Sequence, residues 1–398
     1  MCPTFIAPGD EALSTRGRAN TLRAALAGKL GPRGPAVLSL AELEYTLGTC
    51  LACKACQTEC PSNVNLALLK AEILQARHDR HGLPLSARLI SHTDTLGRLG
   101  CLAPRLANAL LHAAPVRRLL QRFLGFSAQR LLPPFAPQRF DAWLDRRAPW
   151  PAPAPRGRLL LWDDCFTRYH QPHIGQAAVQ VLEAAGFEVL RLPQRVCCGR
   201  PAFSQGNLTE AARLGRHNLA LLAAQPEPLP LLFLEPSCWA MFAEDYRELH
   251  LPHAGEIAAR CHLFSAFVDD LLCREPAALP LQPQPRPVAL HAHCHAKALL
   301  ASAYLPRLAA RVPQSAARLL DTGCCGMAGA FGYQHAHYTL SLQVARPLVD
   351  QLNALPPDAV VIAEGASCRQ QMEHLTPRRP LHMAEWLAAA LPPHLRRF

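Results

Sequence analysis

The chain has 398 residues, half of them hydrophobic and 18% charged; this is enough for two or three domains with real cores and too apolar for a disordered chain. No apolar run approaches the roughly 18–20 residues of a bilayer span and Met1 precedes no signal-peptide stretch, so sixteen cysteines argue for reduced thiolates in the cytoplasm rather than a disulfide scaffold. The net charge of +11 comes without a basic run interleaved with aromatics, which argues against nucleic acid and leaves an acidic partner, anionic lipid headgroups or a plain basic surface.

Residues 1–145 read as a helical domain. The chain opens Met1-Cys2-Pro3, and Ser14 is placed to cap a helix over TRGRANTLRAALAGKL. Arg16 and Arg18 fall near Cys2, either as charge compensation for thiolates or as a solvated helix face. Next comes CLACKACQTECP, which spaces Cys50, Cys53, Cys56 and Cys60 as C-x₂-C-x₂-C-x₃-C-P. That is the bacterial ferredoxin run, whose fourth cysteine serves a different cluster from the first three. Zinc ribbons instead use two separated CxxC pairs. Cys2-Pro3 has the form of the end of an earlier run, so Cys2 is expected to complete a 4Fe-4S cubane with Cys50, Cys53 and Cys56. Cys60 would then serve a second cluster, incomplete on this chain. The expectation is a C-terminal part of a longer polypeptide, or a start at an internal Met.

Pro61 and Ser62 are expected to open a second helix over NVNLALLKAEILQARH. Two helical segments flanking the run suggest an α-helical ferredoxin-like arrangement. Residues 105–132 are amphipathic and Arg-rich; such a segment packs on its own domain, docks on a partner, or lies peripherally on the inner face of the cytoplasmic membrane. Prolines gather at 133–155 and 276–287, the linker candidates.

From residue 156 the chain repeats itself, over 156–275 and again over 286–398. The first repeat alternates the strands RLLLWDD, FEVLRL and LLFLE with helices near 172–185 and 207–224. The second alternates VALHAH, RLLD and AVVIAE, with a helix near 335–354. Cys165, Cys197, Cys198 and Cys238 follow the strands of one; Cys294, Cys324, Cys325 and Cys368 follow those of the other. Equivalent cysteines are offset by 129, 127 and 130 residues, a near-constant period that marks a duplication. Alternating strands and helices imply a parallel sheet in each repeat, and ligands collect beyond the C-terminal strand ends of such sheets. Four thiols are thereby gathered twice, to hold an iron–sulfur cluster, a zinc ion, or no metal. Gly199 and Gly326 let the backbone bend behind each cysteine pair.

The motifs DDCF, VCCGRP and EPSC, then HAHCHAK, GCCGMAG and GASC, resemble the cysteine-rich CCG domains of heterodisulfide reductases. With Cys2-Pro3, STRGRAN and the CxxCxxCxxxCPS run, nearly the whole chain is similar to the iron–sulfur subunit or C-terminal region of FAD-linked 2-hydroxy-acid dehydrogenases. These include the glycolate oxidase, D-lactate and D-2-hydroxyglutarate dehydrogenase types, with the C-subunit of anaerobic glycerol-3-phosphate dehydrogenase as a relative. The resemblance implies an α-helical ferredoxin-like domain followed by a duplicated α/β CCG domain. It also implies electron transfer from FAD on a partner domain or subunit to a quinone or another acceptor. No catalytic residue and no hydroxy-acid site is evident on this chain. Two alternatives stand beside this reading: redox chemistry at the CCG sites themselves, or a metal-stapled module that binds a partner.

The chain departs from the heterodisulfide reductase pattern where a fifth cysteine would stand, with Met241 in one repeat and Gln371 in the other. Strand alternation would put His291, His293 and His295 on the face opposite Cys294, which sets them outside the metal shell. Lys297 is either a thiolate counter-charge or a surface lysine. Asp163 and Asp164 are expected to cap the helix after β-strand RLLLW rather than to form an acid–base pair. The turn Gly323, Gly326, Gly329 and Gly332 departs from the dinucleotide fingerprint. Cys101, Cys261 and Cys273 are left as buried core thiols.

Overall fold

A computed structural model of the chain describes residues 2–30, 41–147 and 155–396; residues 148–154 of the expected linker 133–155 lie outside the described residues. The N-terminal part is helical. Ser14 caps α1 (Thr15–Leu26), its hydroxyl accepting the Gly17 N–H at 2.8 Å. Then follow α2 (Ala41–Gly48), α3 (Ala55–Glu59) and α4 (Leu66–His81). α4 does not begin at Pro61–Ser62. The chain turns there after Cys60, and the Asn65 side chain takes the Leu68 N–H to start the helix.

Four further helices are α5 (Leu85–Ser91), α6 (Thr93–Gly100), α7 (Pro104–His112) and α8 (Ala114–Leu124). The amphipathic segment is thus two helices rather than one. Pro115 has no N–H to prolong α7 and suits the first turn of α8, which leaves Ala113 extended between them.

Two parallel sheets follow. β1 (Arg158–Trp162), β2 (Glu188–Leu190), β3 (Leu231–Phe233) and β4 (Cys261–Leu263) are ordered β2-β1-β3-β4. β5 (Pro287–His291), β6 (Ala316–Leu319) and β7 (Val360–Ala363) are ordered β6-β5-β7. In the second sheet the counterpart of β4 shrinks to a single parallel bridge between Ile362 and Leu381. β1 is an unbroken apolar run with Leu159 through Trp162 buried, as a parallel strand covered by helices on both faces requires. Helices Pro172–Ala184, Leu208–Ala223 and Tyr338–Asn353 stand where the sequence placed them.

Each repeat covers the other. Helix Phe264–Arg274, at the end of the first repeat, packs on Tyr304–Ala309 of the second. Helix Met383–Ala390, at the end of the second, packs on Pro172–Ala184 of the first. One apolar core consequently runs through both. Of the three leftover thiols Cys261 is buried, Cys101 is half-buried and Cys273 is exposed. Cys273 lies in the last turn of Phe264–Arg274, beyond the covered face, and is not a core thiol.

Candidate functional site

Cys2 immediately precedes the short helix Pro3–Ile6, Cys50 follows α2, Cys53 lies in the loop, and Cys56 sits on α3. The loop curls because Ala52 and Lys54 hold left-handed backbone, with φ of 51° and 62°. That curl brings the Ala52 N–H to Cys50 Sγ at 3.5 Å. Arg18 decides between the two readings of the α1 arginines. It is buried, and its Nη1 donates to Cys2 Sγ at 3.1 Å while Nη2 donates to Thr4 Oγ1 at 2.8 Å. Arg16 instead pairs with Glu11 in solvent. Burial alone would raise the Cys2 thiol, but the Arg18 guanidinium and the Thr4 hydroxyl hold it below its ordinary value.

Cys2 and Cys50 lie close enough to act on both Cys53 and Cys56. Burial raises Cys56, and the charges of Cys50 and Cys2 add to it. Burial raises Cys53 well above its ordinary value, with Cys294 as the next cause and then Cys50 and Cys2. An all-thiol donor set with N–H and guanidinium donors on sulfur suits an iron–sulfur cluster, whose charge such donors stabilise. Cys60 ends α3, its N–H bonded to the Cys56 carbonyl at 3.3 Å, and among the described residues it meets no other thiol.

The duplicated thiols form two groups. In the first, Cys198 donates to Cys238 at 3.1 Å, and Cys165, Cys197 and Cys198 lie close enough to shift one another's ionisation. In the second, Cys294, Cys324, Cys325 and Cys368 lie close enough to shift one another's ionisation. All lie beyond C-terminal strand ends. Gly199 and Gly326 turn the chain at φ of 82° and 83°, and Asp164 caps the helix that starts at Cys165. Asp163 pairs with the buried Arg168 and Arg195.

The electrostatics of the two sites differ. All four thiols of the first are held up. Cys165 is raised by the Cys197 thiol and by burial. At Cys238 the Cys198 contact lowers the thiol, but burial and the carboxylates of Asp164 and Glu235 carry it up to about 12. In the second, the Cys324 thiol holds Cys294 at about 7 despite burial, with His293 helping. Cys324 and Cys368 likewise hold Cys325 well below its ordinary value.

The histidine alternation is corrected, because β5 ends at His291 and Cys294 already begins a helix. His293 caps that helix, accepting the His295 N–H. His291 bonds Thr322 and His295 bonds the Ala52 carbonyl oxygen at 3.0 Å. All three are buried. Lys297 donates to the Thr322 carbonyl oxygen.

Met241 is buried at the start of a π-helical turn, Met241–Asp245. Gln371 is buried between Arg130 and Ser341. Neither fifth position offers a thiol.

Lys54 was missed by sequence reasoning, since a lysine between cysteines reads as solvated. It is buried, pairs with Glu244, and meets Asp245 at 2.8 Å. The carboxylates of Glu244, Asp245 and Glu248 lie within 4.8 Å of one another. Lys54, Arg200, Gln57 and Asn65 already serve them, so this is an ion-pair network tying the Cys50–Cys60 segment to the first repeat.

The pattern of the cysteine-rich CCG domain matches residues 159–243 and again 288–373. The C-subunit of anaerobic glycerol-3-phosphate dehydrogenase from Escherichia coli K12 is 28% identical over 337 residues, covering 83% of each chain. The glycolate oxidase iron-sulfur subunit of the same strain is 26% identical over 382 residues, covering 91% of this chain and 84% of that one. D-2-hydroxyglutarate dehydrogenase of Pseudomonas putida is 29% identical over 363 residues, covering 86% of this chain but 34% of its own length. The chain therefore spans about a third of that relative.

Proposed function

We propose that this chain, which carries two cysteine-rich CCG domains, is the iron–sulfur electron-transfer component of an FAD-linked dehydrogenase of a 2-hydroxy acid or a related substrate. The action of Cys2 and Cys50 on both Cys53 and Cys56, with Cys294 beside Cys53, supports the reading. Those four residues would hold a 4Fe-4S cubane in a helical ferredoxin-like domain, and Cys60 would serve a second cluster with ligands from outside the described chain. When bound, such a cluster stores and passes electrons one at a time. Arg18 and the Ala52 N–H stabilise negative charge on sulfur. The four thiols of each CCG domain would hold iron–sulfur or zinc. FAD belongs to a partner domain or subunit, and a quinone or another acceptor takes the electrons.

Peripheral membrane association fits the α7–α8 surface. Leu102, Leu106, Leu119 and Phe123 are 58–76% exposed there. Residues 95–140 contain seven arginines and no acidic residue. An exposed apolar surface flanked by arginine matches an anionic bilayer face.

Anaerobic iron, sulfide and zinc counts with EPR on the purified chain test the carrier. The expected result is one reduced-cubane signal that Cys53→Ser abolishes. No such signal from the wild-type chain overturns the proposal. Zinc in the CCG sites would remove them from the electron path.

A further inference from the structure

A cleft beside Cys50 is left unused by this reading. It measures about 310 Å³ and opens between α2, α4 and the segment 328–337, within the size range of small-molecule sites. Leu51, Leu74 and Phe331 supply apolar walls, with Cys50 among them. Phe331 and His337 stack almost parallel, their ring centroids 4.3 Å apart at 7°, which makes a flat shelf for a further ring. Polar side chains line it too, Glu44, Arg77, His78 and Gln334 among them, with Lys70 and His337 beside the apolar wall. Lys70 spends two contacts on the carbonyl oxygens of Cys50 at 2.6 Å and Gly48 at 3.5 Å. His337 Nδ1 is buried without a hydrogen-bond partner among the described residues.

An unmet buried polar atom costs about 1–3 kcal/mol, which a hydrogen-bonding ligand at His337 would relieve. Its backbone is strained as well. Ala52 and Ala328, both lining the cleft, hold φ of 51° and 44° without being glycine, a feature that gathers at functional sites.

We propose that this cleft binds a quinone, the ring against the Phe331–His337 shelf and the carbonyl oxygens accepting from Lys70 and His337. The inference rests on the electron-carrier reading, because the wall at Cys50 is what selects a redox-active ring among planar carbonyl-bearing ligands. The rim supports a lipophilic ligand. Gln334, which lines the cleft, bridges to Phe126 just past the end of α8, so the cleft lies beside the end of that amphipathic helix. Reduction of the bound quinone takes up the two electrons lost by the dehydrogenase's alcohol substrate and two protons from water, and yields the quinol.

Menadione, titrated calorimetrically into the purified full chain under anaerobic conditions, is the probe. One site per chain is expected. Ser86→Trp, which fills the cleft, and His337→Ala should each weaken binding at least tenfold with the melting transition retained. Should Ser86→Trp fail to fold, His337→Ala carries the test. No binding to the wild-type chain, or unchanged binding in the folded variants, overturns the cleft even where EPR shows a cubane. Binding that the variants weaken, in a chain without a cubane signal, upholds the cleft and overturns the carrier reading instead.

Discussion

The two repeats bring four thiols to equivalent strand ends, yet the N-terminal region meets them by different means. It meets the first through charge: Lys54 reaches Glu244 and Asp245, and Arg200 of that repeat closes the network on Asp245. It meets the second through sulfur and a ring: Cys53 lies near Cys294, and His295 bonds the Ala52 carbonyl. Asp164 and Glu235 stand beside the first set of thiols and His291 and His293 beside the second, where Glu235 also reaches Cys368. A duplicated scaffold thus fixes where thiols gather, while the loops and the neighbouring domain decide what each gathering is suited to. Among the described residues, it is the second site that adjoins the Cys2–Cys56 thiols directly.

The largest effect is expected from breaking the charged contact. Lys54→Met strands buried carboxylates, and losing one partner of a buried pair costs about 3–5 kcal/mol. Because Arg200 still holds Asp245 and Gln57 still serves Glu244, the low end of about 3 kcal/mol is expected from urea unfolding. A loss under about 1 kcal/mol would mean that charge does not fasten the first repeat to this segment. Smaller, and sharper for the duplication, is the pair Gly326→Ala and Gly199→Ala. Both share the left-handed penalty of about 1–2 kcal/mol. The new Cβ would stand 2.4 Å from the Ser341 carbonyl oxygen in the second repeat but 3.1 Å from that of Ala211 in the first. Gly326→Ala should therefore lose more stability, by about 1 kcal/mol or more. Equal losses would make the two turns equivalent despite their different neighbours.

Much of this contrast could not be read from the chain. The strands preceding the thiols were visible because apolar runs such as Leu159–Trp162 punctuate helical stretches, and the 127–130-residue period exposed the duplication. β4 was invisible: three residues with an exposed His262 between two buried neighbours carry no signal. The histidine faces failed because periodicity does not announce that a strand stops at His291. Lys54 failed for another reason. Its partner Glu244 lies 190 residues away, and no local pattern distinguishes a lysine that will be buried against a distant carboxylate from one left in water.

The gentlest test addresses how the repeats hold each other. His382 caps Met383–Ala390 by accepting the Ala384 N–H, and its Nε2 meets the Leu234 carbonyl of the first repeat at 3.1 Å. Burial, with Arg369 nearby, pushes it from an ordinary 6.5 to about 3. The unfolded chain therefore takes up the proton first. Above pH 6.5 the residue adds no pH dependence. Between 6.5 and about 3 it lowers folding stability by about 1.4 kcal/mol for each unit of acidification. His382→Asn keeps a capping oxygen for Ala384 and cannot titrate. Stability measured at pH 6, 5 and 4 should fall less steeply in the variant, by about 1 kcal/mol per unit. Parallel profiles would mean that His382 is already charged at the junction, and that the neutral contact to Leu234 does not join the two repeats.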